Sequence, residues 1–166
     1  MSGNDVQKAD QIAYRCYSKL ALLVHEARLG PAPARTGAKP DRWFNLECAD
    51  IDADAYKDQL RIYRFISTAT HDPPSFELDV LLAVPDLSPN QVLVYRRPEP
   101  SSSSRVLVEP TPSYVLLETW SLVFDRSDHL RLSDADADLA PSSIYKHGIG
   151  LFRAVYALLR VAPAWK

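Results

Sequence analysis

Two stretches place aspartates at every second position: Asp50, Asp52 and Asp54, then Asp134, Asp136 and Asp138. Such spacing could bring carboxylates round a calcium ion, because alternate positions of a tight loop point inward. An EF-hand loop also needs Gly at its sixth position and Glu at its twelfth. Counting from Asp50 gives Ala55 and Arg61, and from Asp134 gives Leu139 and Tyr145. Both runs fail, so they read as a helix cap and a solvated loop. His25, His71, His129 and His147 have no second His or Cys at i+3 or i+4, so no helical ligand pair forms. Cys16 and Cys48 fall short of a zinc set and of a disulfide framework. Glu118 shares a strand face with Trp120 and could be a carboxylate with a raised pKa, an exposed acid or the partner of an arginine. Five glycines make neither a nucleophile elbow nor a phosphate-cradling loop. The expected catalytic and metal sets are therefore empty, and no cofactor is expected.

The 166 residues fit one domain, expected over 1–166. Apolar residues make up 46% and charged residues 24%, which excludes a disordered or collagen-like chain. Nineteen basic and 21 acidic side chains leave a net charge of −2, which argues against a dedicated nucleic-acid binder. Three Trp, eight Tyr and five Phe invite comparison with a base-stacking sheet, but the strand aromatics mix with Glu77, Asp79 and Glu118, so core packing accounts for them better. No secretory signal is visible at the N-terminus, and the most apolar stretch, 151–162, is broken by Arg153 and Arg160, so direct membrane insertion is not expected. Two cysteines fit a reducing, cytosolic location.

The elements that position these residues follow from periodicity. Val6, Ala9, Ala13, Cys16, Leu20, Val24 and Ala27 recur at spacings of three and four, which predicts a helix over 5–29. Asn4 would cap it and Gly30-Pro31 would stop it. Its stripe needs a surface to cover it, expected to be a sheet. Residues 31–40 read as a loop, and 42–47 as an extended segment. A second helix is expected over 52–66, capped by Asp52 or Asp54, with Tyr56, Leu60, Tyr63 and either Ile66 or Phe65 inside. Alternation predicts strands at 76–84, 91–96 and 114–124, with a short extension at 105–108 and a serine-rich loop between. The 114–124 strand is apolar on both faces and is expected to be central and covered on at least part of each side. The acidic 125–140 stretch reads as a loop. A last helix follows, capped by Ser142 or Ser143, with Ile144, Gly148, Leu151, Phe152, Val155, Leu158, Leu159 and Ala162 at helical spacing. Gly148 and Ala162 are small enough to admit a close neighbour. The order predicts an α+β fold, with helices on one face of a mainly antiparallel sheet.

Several segments in order resemble one family. They are Arg42-Trp43-Phe44-Asn45-Leu46-Glu47, Leu116-Leu117-Glu118-Thr119-Trp120, Ile144-Tyr145-Lys146, Leu151-Phe152-Arg153 and the closing Leu159-Arg160-Val161-Ala162-Pro163-Ala164-Trp165-Lys166. With Lys19-Leu20-Ala21 in the first helix, they resemble the N-terminal HORMA domain of the fungal autophagy-related protein 13 family. The resemblance implies a HORMA-like fold and a non-catalytic adaptor, a regulatory subunit of the kinase complex that initiates autophagy. Implied partners are a second HORMA protein, the multispanning autophagy membrane protein and the phosphatidylinositol 3-kinase complex. Kinase and scaffold would bind a tail beyond these residues. The implied location is the cytoplasm and the phagophore assembly site.

The family's domain continues past its last long helix into further strands, including the mobile safety-belt region. This sequence stops there, so the expectation is a domain truncated at its C-terminal end, with an incomplete sheet and an exposed edge. The resemblance also implies an arginine pair for a phosphate-like anion. Arg61 or Arg64 would come from the middle segment and Arg160 from the last helix; alternatively these are ordinary exposed arginines. Two other functions stay open at this point: a HORMA adaptor of checkpoint or repair type, and a small α+β hydrolase or transferase with a pocket around Glu118 and His129 or His147.

Overall fold

The computed structural model describes residues 3–29, 40–48, 56–96, 104–125 and 140–162. The expectations for Gly30-Pro31, for Asp52 and Asp54 as caps, for both aspartate runs and for His129 fall outside these residues. The chain divides into two compact units: Met1–Leu78 with Ser121–Lys166, and Asp79–Trp120.

The first unit is built on two long helices, α1 at Gly3–Leu29 and α3 at Pro141–Val161. α1 starts before Asn4, so Asn4 is not its cap; Asp5 lies in the first turn, where the helix dipole favours an acid. The main cover of α1 is α3, not the expected sheet. The buried surface is also wider than the predicted stripe. Lys19, Leu20, Ala21, Leu22, Leu23 and Val24 are buried in succession, as happens where a helix is enclosed on every side. α3 begins with Pro141 at its first position and Ala140 as the N-cap residue. Ser142 and Ser143 therefore lie inside the helix and do not cap it. Pro is suited to that first position because its missing N–H would have no helical partner there. At the other end, Arg28 of α1 donates to the carbonyls of Leu159 (2.9 Å) and Ala162 (3.1 Å), satisfying acceptors that a helix end leaves open. Gly148, Phe152 and Leu159 form the buried line of α3, whereas Leu151 and Leu158 are 51% and 49% exposed despite their helical spacing.

The 42–47 segment is not extended. Trp43–Asn45 is a 3-10 turn in which Phe44 and Asn45 take left-handed backbone angles, φ 60° and 52°. The cause lies around it. Asp41 and Cys48 exchange backbone hydrogen bonds of 3.0 and 2.9 Å, which close the loop. The Trp43 N–H donates to Asp41 Oδ1 at 3.2 Å. Phe44 is then turned inward, fully buried, stacked on Tyr145 at 5.3 Å and against Phe152 at 4.7 Å. Gly148 gives its ring room, as its small size anticipated.

The expected second helix is broken into α2 at Lys57–Leu60 and 3-10 turns at Arg61–Tyr63 and Ile66–Thr68. Its inward residues Leu60, Tyr63 and Ile66 recur at intervals of three, the 3-10 period, not 3.6. Ile66, not Phe65, is the buried member. Tyr63 stacks on Tyr17 at 4.0 Å, and Phe76 meets both rings edge-on. Asp10 anchors the last turn to α1, accepting from the Ser67 N–H (2.9 Å) and hydroxyl (2.5 Å).

The strands are β1 at Phe76–Ala83, β2 at Val94–Arg96, β3 at Arg105–Leu107 and β4 at Tyr114–Leu122. Among the described residues they form two two-stranded sheets, β1 with β4 and β2 with β3, instead of one larger sheet. β2 and β3 run antiparallel, Tyr95 opposite Val106. In the second unit the Thr119 hydroxyl donates to Asp79 (2.7 Å) and the Val84 N–H to the Ser113 carbonyl, consistent with antiparallel β1 and β4. β4 is not central, since β1 is its one partner among the described strands; its cover is partial on each face, with Val115 and Leu117 half-buried on one and Glu118, Trp120 and Leu122 on the other. Apolar residues on both faces were a sound sign of burial only if cover existed, and the described strands provide one neighbour. The result is α+β with small antiparallel sheets.

Candidate interaction site

The residues with possible catalytic roles do not converge. Glu118 is half-buried and accepts the Trp120 indole N–H at 2.9 Å. His71 and His147 are exposed. His25 shares a 2.7 Å hydrogen bond with the Tyr56 hydroxyl, and burial holds its pKa below the usual histidine value. Among the described residues no group of three or more metal-ligating side chains occurs. None of their helices is long and apolar enough to cross a membrane. Both cysteines are free thiols, and burial pushes Cys16 up to about 11 and raises Cys48.

The first unit instead gathers cations along α1. Arg61 and Arg64 line a pocket of about 270 Å³ with Lys57 and Asp58. α2 and the turn after it place these side chains one turn apart on one exposed flank. Arg160 does not line that pocket; its guanidinium lies over the ring of Tyr156, one helical turn back, at 4.2 Å. The structure thus brings together two of the three expected arginines.

Arg64 also sits 5.2 Å from the ring centre of Tyr14 and borders a second pocket, of about 600 Å³, with Lys8, Asp10 and Arg15. Arg15 and Tyr14 in turn border a third, of about 630 Å³, whose other walls include Trp43, Tyr56 and Tyr145. Arg15 lies 5.0 Å over Trp43. It was missed in the sequence, because nothing in the spacing of α1 relates it to Trp43.

Below that third pocket lies a second overlooked cation. Lys19 is 1% exposed and its ammonium donates to the Leu46 carbonyl at 2.8 Å and forms an ion pair with Asp41. A lysine inside the run 18–24, Ser-Lys-Leu-Ala-Leu-Leu-Val, was the available signal. A buried ammonium needs a carboxylate and carbonyls, and the 41–48 loop supplies them. Lys19 therefore holds in place the loop that carries Trp43.

Comparison with known proteins places this arrangement. The family model for Autophagy-related protein 13 matches residues 13–166. Relatives of that name include one from Gibberella zeae, 29% identical over 98% of this chain and 19% of its own length. Another, from Yarrowia lipolytica, is 31% identical over 99% of this chain and 24% of its own length. Autophagy protein 13 of Schizosaccharomyces pombe is 27% identical over 99% of this chain and 21% of its own length. The chain thus spans about a fifth of the length of the curated relatives it matches. No solved structure matches. With the match running from within α1 to the end of the chain, this chain belongs to the Autophagy-related protein 13 family.

Proposed function

We propose that this chain is a non-catalytic docking module, HORMA-like in fold, within the assembly that initiates autophagy. It acts as a regulatory subunit of the initiating kinase complex and recruits other factors to the phagophore assembly site from the cytoplasm. Its partners are a second HORMA protein, the multispanning autophagy membrane protein and the phosphatidylinositol 3-kinase complex. Contacts with the kinase itself and with the scaffold belong to parts of the longer family members outside these residues.

The observation that carries this reading is the apolar surface of the strands. Tyr95 is 56% and Leu107 48% exposed, Val94 and Val106 are exposed next to them in β2 and β3, and Tyr114 and Leu116 are exposed in β4 of the other sheet. Among the described residues β2 and β3 pair only with each other, which leaves the outer edge of each available for a further strand. Apolar side chains next to an open edge suit strand addition by a partner, where backbone hydrogen bonds supply affinity and side-chain pockets supply selection.

The experiment is affinity capture with the second HORMA protein and the multispanning membrane protein as preys. A Tyr95→Ser/Leu107→Ser variant should lose capture while its helical circular dichroism is kept. Capture unchanged by the double substitution, or absent from the wild type, rejects the reading.

The arginine expectation takes a narrower form. Arg61 and Arg64, with Lys57, are proposed to receive a phosphate-like anion, since planar guanidinium forks match an oxyanion. Arg160 is proposed as the third contributor on the family resemblance. Phosphopeptide titration of Arg64→Ala and Arg160→Ala separates them: unchanged binding removes the residue concerned.

A further inference from the structure

Arg15 is a cation held in place without a full set of partners. Its Nε is buried and has no hydrogen-bond partner. Its Nη1 lies 3.7 Å from Asp41 Oδ2, a loose ion pair. The other oxygen of Asp41 is already engaged by Lys19 and by the Trp43 N–H. One carboxylate therefore faces two cations. The remaining charge on this wall does not change the balance, because Arg42 pairs with Glu47 at 3.3 Å. Glu26 adds a second acid near Lys19, since its charge acts on Cys48, so what remains beside the pocket is the loosely paired guanidinium of Arg15. A ligand carboxylate that reaches this guanidinium adds the close charge-assisted contact that Asp41, shared with Lys19, supplies only at 3.7 Å.

The surroundings fix the shape of that ligand. The guanidinium lies over Trp43, 5.0 Å from its ring centre, and 6.0 Å from that of Tyr14. Tyr145 accepts the Phe44 N–H at 3.1 Å, so its own hydroxyl proton is available to donate into the pocket it lines. Aromatic walls and one loosely paired guanidinium suit a single carboxylate carried on an apolar body. They suit a phosphate dianion less well, which the three cations of the Arg61–Arg64 pocket match better. The pocket lies between α1 and the loop at Trp43, so it admits a chain more readily than the flat face of a bilayer.

We propose that this pocket is a binding site for an acidic peptide segment of a partner protein. A Glu or Asp side chain accepts from Arg15 and Tyr145, and an adjacent apolar residue packs on Trp43. The proposal rests on the docking reading above and gives one of its partners a chemistry.

The test is a fluorescence anisotropy titration of the whole chain with a short labelled peptide of alternating Glu and Leu. Saturable binding is expected, lost with a Gln-for-Glu peptide and weakened about tenfold or more by Arg15→Gln, the loss of one charge-assisted contact. Tyr145→Phe keeps the ring and should weaken binding less. It also decides the matter if Arg15→Gln proves unfolded by circular dichroism. Absence of peptide binding, equal binding of the Gln peptide, or affinity unmoved in the folded variants overturns the proposal. So does capture by phosphatidylserine vesicles that depends on Arg15 without peptide binding, which would assign the site to a membrane surface. Should the peptide fail while partner capture through the strands persists, this inference falls and the docking reading stands.

Discussion

Gly148 and Gly150 lie on the same helix, and alanine should act on them in opposite directions. A Cβ at Gly148 would overlap Phe44 Cε1, come within 2.7 Å of Cδ1 and reach Cζ at 3.4 Å, whereas one at Gly150 meets nothing within 4 Å. Ordinary carbon contacts need about 3.5–4 Å, so the Phe44 ring would have to retreat by about 1 Å. It has nowhere to go. Tyr145 and Phe152 pack against it, and its backbone is held by the Tyr145 hydroxyl and the closed 41–48 loop. Overpacking of this kind costs about 1–3 kcal/mol, and the immobile ring puts it near the upper end. Replacing a helical glycine by alanine returns about 1 kcal/mol. Gly148→Ala should therefore destabilise by about 2 kcal/mol and Gly150→Ala stabilise by about 1 kcal/mol. For a chain of this size, those values lower Tm by about 4–8 °C and raise it by about 2–4 °C. Urea unfolding followed by far-ultraviolet circular dichroism, with m unchanged, reads both. Combining Gly148→Ala with Phe44→Leu should recover about 1 kcal/mol or more of the loss through coupling. If the two alanine variants shift stability in the same direction, or the coupling is absent, the close packing of Phe44 on Gly148 is wrong.

Two further outcomes follow from buried groups. Lys19→Ala leaves Asp41 without its main counter-charge and should destabilise by about 3–5 kcal/mol, as for a broken buried ion pair, with Trp43 fluorescence shifting as its loop is released; a loss below about 1 kcal/mol in urea unfolding would show that the pair is not structural. Burial raises Cys16 to about 11 and Tyr17 to about 12, so their neutral forms are favoured in the folded state. Their contribution to stability is fully present below the unfolded-state values near 9 and 10 and is lost as pH rises towards 11 and 12. Unfolding free energy should accordingly decline from about pH 9 upward, less steeply in Cys16→Ala, and a flat alkaline limb in both proteins would contradict it.

Particular residues show how far local sequence carries. The 3.6 period of α1 and α3 and the alternation of β1 and β4 were readable because each is set by a residue's immediate neighbours. The small size of Gly148 flagged a close contact, though not its partner. The Trp43–Asn45 turn was misread as extended because its left-handed angles depend on where Phe44 goes, and that is decided by rings about a hundred positions later in the chain. Likewise, the break at residue 65 and the 3-10 turns follow from docking Tyr63 and Ile66 onto α1.

The sequence by itself determined the two long helices, the strand segments and, through ordered short motifs spread across the chain, the family to which it belongs. Tertiary structure decided which faces have cover, that two small sheets form instead of one, and that Arg15, Lys19 and Asp41 meet below Trp43. The division has a physical reason. Periodicity and caps are short-range properties of the backbone, whereas a charge's partners and a strand's cover are set by residues brought close only when the chain folds back on itself.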